Sequence, residues 1–306
     1  MSKTERTGTE ADKPDWLRQR WSADRDDFDG IRDALRKRDL VTVCEEASCP
    51  NIDECWSEEG TATFMIMGDT CTRGCGFCDV DTGGGDQLDP LEPAKIAGAI
   101  EEIGLDYAVI TSVDRDDLPD GGAEHFARVV KAVHHLTDTL VEVLIPDFQG
   151  DTEPLKRVVD EEPAVVAHNV ETVERLQEEV RDPRAGYDQS LEVLREAKRL
   201  EPDVFTKSSI MLGLGETEDE VLRTLDDLRS VGVDVVTLGQ YLQPSDDHLG
   251  VEDWVPPEKF DFYEEKALEK GFRFVASGPF VRSSYRAGEL FIENVIEEGG
   301  EPTRLG

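Results

Sequence analysis

The sequence predicts an α/β fold, a parallel sheet crossed by helices. Three observations carry that prediction. From residue 61 onward, short apolar runs rich in β-branched residues alternate with helix-length amphipathic segments, the pattern of repeated β-α-β crossovers. The alternation repeats six times and a seventh unit closes it, enough for one large core in a chain of 306 residues. The residues just after the runs are unusually polar. In a parallel α/β sheet those strand ends face the ligand, whether the sheet is open or curled into a barrel.

Taken in order, residues 1 to about 40 are polar, with Trp16, Trp21 and one amphipathic stretch, FDGIRDALRKRDL. They read as an extension that wraps on a larger body. The strand candidates are TATFMIMG (61 to 68), YAVITSV (107 to 113), LVEVLIPD (140 to 147), AVVAHNV (164 to 170), VFTKSSIMLG (204 to 213) and VDVVTLGQY (233 to 241). Helix candidates lie between them: EPAKIAGAIEEIG, GGAEHFARVVKAVHHL, EPLKRVVDEE, DQSLEVLREAKRL and TEDEVLRTLDDLRSVG. Several open on an acid or threonine and close on glycine, as helix caps do. The closing unit is PEKFDFYEEKALEKGFRFVASG.

Charge narrows the function classes. The 69 acidic against 33 basic residues leave a net charge of -36, so a phosphate backbone is repelled and a nucleic-acid partner is not expected. The acids are dispersed over SADRDDFDG, DRDD, EDE and RTLDDLRS rather than gathered in one tail. That distribution reads as a surface that stays soluble in concentrated salt, as in the cytoplasm of a halophile, more than as a steering patch for basic partners. The N-terminal residues have no apolar core region of a secretory signal, and no stretch approaches the roughly 18 apolar residues of a membrane span. The expectation is a cytoplasmic protein with no membrane partner, where thiols stay reduced.

All six cysteines fall within residues 44 to 78. The second group, Cys71, Cys75 and Cys78, is C-x3-C-x2-C on the loop after the first strand candidate. Three thiolates there can converge on one centre, but leave zinc one ligand short of the closed four-coordination of structural sites. An iron-sulfur cluster with one iron left open fits better. The first group, Cys44, Cys49 and Cys55, also offers three thiolates with no neighbouring histidine. One six-cysteine site is conceivable; two groups separated by a strand candidate point to two centres, each short of a fourth ligand.

These residues carry a resemblance. The spacing of Cys71, Cys75 and Cys78, with Phe77 before the last, is similar to the signature of the radical S-adenosylmethionine (SAM) superfamily. The wider set KPDWLR, CEEASCPNIDECW, GTATFMIMGDTCTRGCGFCDV, TSVDRDDLPDGGA, HNVETV, RDPRAGYDQSLEVL, TKSSIMLGLGET, LGQYLQPS and GPFVRSSYRAGE resembles the lipoyl synthase family, in order from about residue 13 to residue 290. The stretch DTGGGDQLDP after CDV is more glycine-rich and acidic than the family pattern.

The resemblance implies a partial (β/α)6 TIM-type barrel over 61–280, an N-terminal extension over 1–60 carrying the first three cysteines, and a C-terminal extension over 281–306. It implies two 4Fe-4S clusters and SAM. Cys71, Cys75 and Cys78 would hold the cluster whose open iron takes SAM; Cys44, Cys49 and Cys55, with Ser284 of the RSSY motif, would hold an auxiliary cluster that gives up sulfur. The implied reaction inserts sulfur at C6 and C8 of an octanoyl chain on a lysine of a lipoyl carrier (a lipoyl domain or glycine-cleavage H-type protein), with a ferredoxin- or flavodoxin-type electron donor. Phe77 would pack near the adenine, and GLGET resembles the loop supporting it. By position, Thr111, Ser112, Asp114, Asn169, Glu171, Lys207 and Ser208 are candidate SAM contacts; each is also readable as a helix cap or a barrel-interior hydrogen bond. The competing readings are another radical SAM sulfur-inserting or methylthio-transferring enzyme, disfavoured because no further RNA-binding domain fits the length, and a non-catalytic zinc-binding module.

Overall fold

Chain order and sheet order coincide. The computed structural model describes residues 13–17, 32, 35–38, 40–42, 62–284 and 303–304. A short strand, β1 (Val41–Thr42), pairs antiparallel with β2 (Ala62–Ile66). Next, β3 (Thr70–Cys71) and β4 (Asp81–Thr82) form a small ribbon of their own. The main sheet continues through β5 (Tyr107–Ser112), β6 (Leu140–Leu144), β7 (Val165–Ala167), β8 (Phe205–Leu212), β9 (Val235–Gln240), β10 (Phe274–Gly278) and β11 (Thr303–Arg304). Every pairing from β2 to β11 is parallel.

From β2 to β10 each step across the sheet is a crossover carrying a helix, as parallel neighbours require. These are α1 (Glu92–Ile103), α2 (Ala123–Leu136), α3 (Thr152–Val159), α4 (Gln177–Val180) with α5 (Tyr187–Leu200), α6 (Glu218–Ser230) and α7 (Pro257–Glu269). Local sequence sets their limits. Gly104, at φ 75°, ends α1 in the left-handed conformation that favours glycine, its N–H on the Ile100 carbonyl. Thr217 and Glu220 open α6 with a reciprocal capping box. In α2 the buried positions Phe126, Val129, Val130 and Val133 recur every three or four residues and bury one stripe against the sheet. Phe126 is fully buried, a contribution of roughly 1.5–3 kcal/mol.

Side-chain alternation shows that the sheet is curled. Phe64, Ile66, Ala108, Ile110, Val141, Val143 and Val166 pack outward with α1, α2 and α3, while Ile210, Leu212, Val236, Leu238 and Val275 pack outward against α5, α6 and α7. The opposite parity, Tyr107, Val109, Val165, Phe205, Val235, Phe274 and Ala276, forms a single inner cluster. These side chains are buried although no helix residue belongs to their cluster, as on the inner face of a sheet that bends toward itself. Among the described residues its two edges do not pair with each other, so six β/α units, followed by the parallel strands β10 and β11, make a partial barrel; the alternation predicts the parallel sheet and the resemblance its curling. Leu35 of the N-terminal segment is fully buried in the outer core beneath α1, and Lys37 and Arg38 meet Glu102 of that helix.

Candidate functional site

The cysteine loop leaves the C-terminal end of β2 through a tight turn. Met67 and Gly68 both take positive φ, 69° and 91°, and the Met67 N–H is held by Glu92 of α1, which also faces His125 of α2 at 2.5 Å. Cys71, Cys75 and Cys78 follow as free, half-buried thiols. Each sulfur accepts backbone N–H groups. Arg73 and Asp114 donate to Cys71 at 3.4 and 3.3 Å, Asp182 to Cys75 at 3.3 Å, and Val80 to Cys78.

Burial pushes all three thiols up, Cys75 to about 12 and Cys78 to about 11, while the N–H donors pull the other way. A bound metal must displace these protons. Among the described residues, no three His, Cys, Asp or Glu side chains are gathered as tightly as a single metal ion takes them. An all-sulfur set of three, each capped by N–H donors, fits an iron-sulfur cluster with one iron left open, whereas it leaves zinc one ligand short of a closed structural site.

Arg73, between the first two cysteines, is the anchor of the loop. Its guanidinium is buried, makes two 2.7 Å bonds to Asp147 and two 2.8 Å bonds to Asp116, and lies 3.6 Å from Asp114. Burial opposes its charge, but the bonds to Asp116 and Asp147 outweigh it and hold Arg73 ionised. Burial likewise raises Asp147, yet Arg73 wins and draws it down to about 2. Asp114 goes the other way, up to about 6, because burial and the neighbouring Asp147 and Asp116 outweigh Arg73. Its carboxylate lies 3.9 Å from the Cys71 sulfur.

The remaining candidates divide. Asn169 donates to Glu171 at 3.1 Å; Glu171, at φ 65°, is raised by burial against the pull of Arg181, and its charge is felt at both Cys75 and Cys78. Thr111 donates to the Leu144 carbonyl at 3.1 Å, whereas the buried Ser112 hydroxyl has no partner among the described residues. Phe77 is partly buried against the outer core. Ser284, half-buried, follows β10 on the same barrel end. Cys44, Cys49 and Cys55 lie outside the described residues.

Two of the candidates already have protein partners. Lys207 is no rim residue: it points into the N-terminal half of the barrel, fully buried, with its ammonium at 2.8 and 2.9 Å from Glu142, which also accepts from Tyr107. Ser208, next in β8, faces the opposite side by the alternation of the strand, and its hydroxyl accepts from the Val170 N–H at 3.2 Å. The same alternation turns Ser209 and Met211 inward. In GLGET, Gly213 and Leu214 direct their N–H groups at the Glu216 carboxylate, 2.6 and 2.9 Å away, so the loop closes on its own acid.

The sequence reading missed Arg73, Asp116, Asp147, Asp182, Arg184 and His248. His248 donates from Nε2 to the Cys78 carbonyl at 3.0 Å and accepts from Ser245 at Nδ1. A signal for Arg73 was present: a cation flanked by two cysteines, in a chain with acids after its strands.

Comparisons with known proteins agree with this geometry. The model of the radical SAM superfamily matches residues 65–228. The chain is 59% identical to the lipoyl synthase of Natronomonas pharaonis over 94% of each chain. It is 54% identical to the chloroplastic lipoyl synthase of Arabidopsis thaliana, over 94% of this chain and 74% of that one. In fold it is similar to methylornithine synthase (13% identity, TM-score 0.54, covering 90% of this chain and 94% of that one). It is also similar in fold to the FeFe-hydrogenase maturase HydG of Carboxydothermus hydrogenoformans (14% identity, TM-score 0.54, 89% and 78%). A cysteine loop at the end of the first parallel strand of a partial barrel, and identity of this extent across nearly the whole chain, place the protein: it belongs to the lipoyl synthase family of the radical SAM superfamily.

Proposed function

We propose that the chain converts a protein-bound octanoyl-lysine to a lipoyl group by inserting sulfur at C6 and C8. The observation that carries this reading is the C-x3-C-x2-C loop, each thiol capped by N–H donors, in a chain 59% identical to a lipoyl synthase. A 4Fe-4S cluster with SAM supplies, when bound, the one-electron chemistry that takes hydrogen from an unactivated alkyl carbon, which no side-chain acid or base can do. Cys71, Cys75 and Cys78 hold that cluster. Their N–H donors favour the thiolate form that ligation needs.

The residues around the loop bind and orient. Asn169, Glu171, Thr111, Ser112 and Asp114 stand at the strand ends facing it, and Phe77 supplies an apolar surface beside it. Cys44, Cys49 and Cys55, with Ser284, hold a second cluster as the sulfur source; a serine oxygen is a more labile ligand than a thiolate. The substrate is an octanoylated lipoyl carrier, and the electron comes from a low-potential ferredoxin- or flavodoxin-type donor. No helix among the described residues is long and apolar enough to cross a membrane; a cytoplasmic location suits the six reduced thiols this reading requires.

Anaerobic reconstitution with iron and sulfide, followed by incubation with SAM, a reductant and an octanoyl-lysine peptide, tests the reading. Dithiolated peptide and 5'-deoxyadenosine are expected. Cys71→Ala abolishes SAM cleavage, whereas Cys44→Ala retains some cleavage and forms no sulfur-containing product. Zinc bound without sulfide, or sulfur insertion by both variants, overturns this division of labour.

A further inference from the structure

The segment RDPRAGY, residues 181 to 187, follows the seventh strand in sequence yet reaches back over the cysteine loop. Asp182 does two things at once. Its backbone N–H donates to the Cys75 sulfur at 3.3 Å, and its carboxylate accepts the Gly74 N–H at 2.9 Å. Arg184 then grips Asp182 with two bonds of 2.8 and 2.9 Å, donates to the Thr72 carbonyl at 2.7 Å, and reaches Asp116 at 3.2 Å.

Asp116 is also bound to Arg73, and Arg73 to Asp147. The result is an alternating row of charges, Asp147, Arg73, Asp116, Arg184 and Asp182, that includes Arg73 of the loop and returns to the loop at the Gly74 N–H. It joins the segments that follow β5, β6 and α4 to one loop. We propose that Asp182 and Arg184 are positioning residues that fix the loop in its ligating geometry before iron arrives and hold the N–H of residue 182 on the Cys75 sulfur.

The side chain of Arg184 is 49% exposed, and an exposed arginine in a single pair contributes little. Here its planar fork holds a carboxylate bidentately while a further N–H takes a backbone carbonyl of the loop, a geometry lysine cannot reproduce. Asp182, with its side chain only 9% exposed, is held ionised, first by Arg184 and then by the Gly74 N–H. Pre-organisation lowers the ordering cost of binding, and hydrogen bonds to ligand sulfurs are among the determinants of cluster potential.

That the loop holds a cluster rests on the function proposed above; the fixing of the loop does not. The first measurement is therefore amide hydrogen exchange on the metal-free full chain. Arg184→Ala is expected to speed exchange of residues 72–76 at least tenfold while the amides of β5, β6 and β8 keep their protection. Arg184→Lys should restore only part of it. Asp182→Asn keeps an oxygen for Gly74 and the N–H on Cys75 but drops the charge, and should fall between wild type and Arg184→Ala.

The second measurement is the midpoint potential of the single cluster left in a Cys44→Ala/Cys49→Ala/Cys55→Ala background. Adding Arg184→Ala should move it to a more negative value, as a loosened N–H···S bond leaves more charge on sulfur. Unchanged exchange in Arg184→Ala, or a uniform rise across the barrel, overturns the proposal. An exchange result as expected in a protein that inserts no sulfur leaves the positioning role standing and sinks the proposed function instead.

Discussion

At the residue scale, hydrogen-bond roles follow from the chemistry of each partner. The Nδ1 of His168 lies 2.8 Å from the Ile145 carbonyl, which only accepts, so Nδ1 carries the proton. Nε2 must then accept from Ser190 at 2.9 Å, and Ser190 in turn accepts from Arg181 at 2.8 Å. Burial first, and the Arg181 charge second, lower His168 from 6.5 to about 4. The unfolded chain therefore binds this proton more readily than the folded one. Stability from this residue is fully present above pH 6.5 and is lost as pH falls toward 4, a loss of about 3 kcal/mol. Denaturant midpoints taken at successive pH values should show that decline, and His168→Gln should flatten it; an unchanged slope in the variant would remove His168 as its source. Lys207 gives a second expectation. Lys207→Met leaves Glu142 charged and buried, and should destabilise by about 3–5 kcal/mol, whereas Lys207→Met with Glu142→Gln should recover part of that. Thermal melts of the three proteins decide it.

At the element scale, the sequence told helices from strands because the apolar period changes from two to three or four wherever the chain turns. The direction of single strand residues was harder to read. KSS in β8 reads as three equivalent polar residues, but alternation sends Lys207 and Ser209 inward and Ser208 outward, and only the neighbouring strands reveal that Lys207 meets Glu142. One element-level constraint is testable at Gly239, near the end of β9. A Cβ there would meet the Val281 carbonyl oxygen at 2.0 Å, so the segment that leads from β10 to Ser284 crosses directly over a bare backbone. Gly239→Ala must displace that segment. The expected result is a stably folded barrel with altered exchange at residues 279–284; wild-type exchange there would show that the crossing tolerates a methyl group. At the start of α6, Thr217→Ala removes a capping box and should cost about 1 kcal/mol in chemical denaturation.

At the scale of the whole molecule, a net charge of -36 acts against folding by self-repulsion. The Debye length falls from about 10 Å at 0.1 M salt to about 3 Å at 1 M. Melting temperature should therefore climb between those concentrations, similarly for potassium and sodium chloride, and a flat profile would count against self-repulsion as the controlling term. The fold and the cysteine loop were legible because both are local in sequence, a periodic run or a short spacing. The charges that fasten the loop were not, since Arg73 and Asp147 stand 74 positions apart in the chain and Gly74 and Asp182 stand 108 apart. The same distance has a meaning in time. At 5–20 residues per second, the three thiols leave the ribosome roughly 5–20 s before the aspartate that secures them. Iron delivered to the nascent chain would meet an unfastened loop, whereas iron delivered after release meets a finished one, which makes the order of synthesis and metallation a property written into the topology.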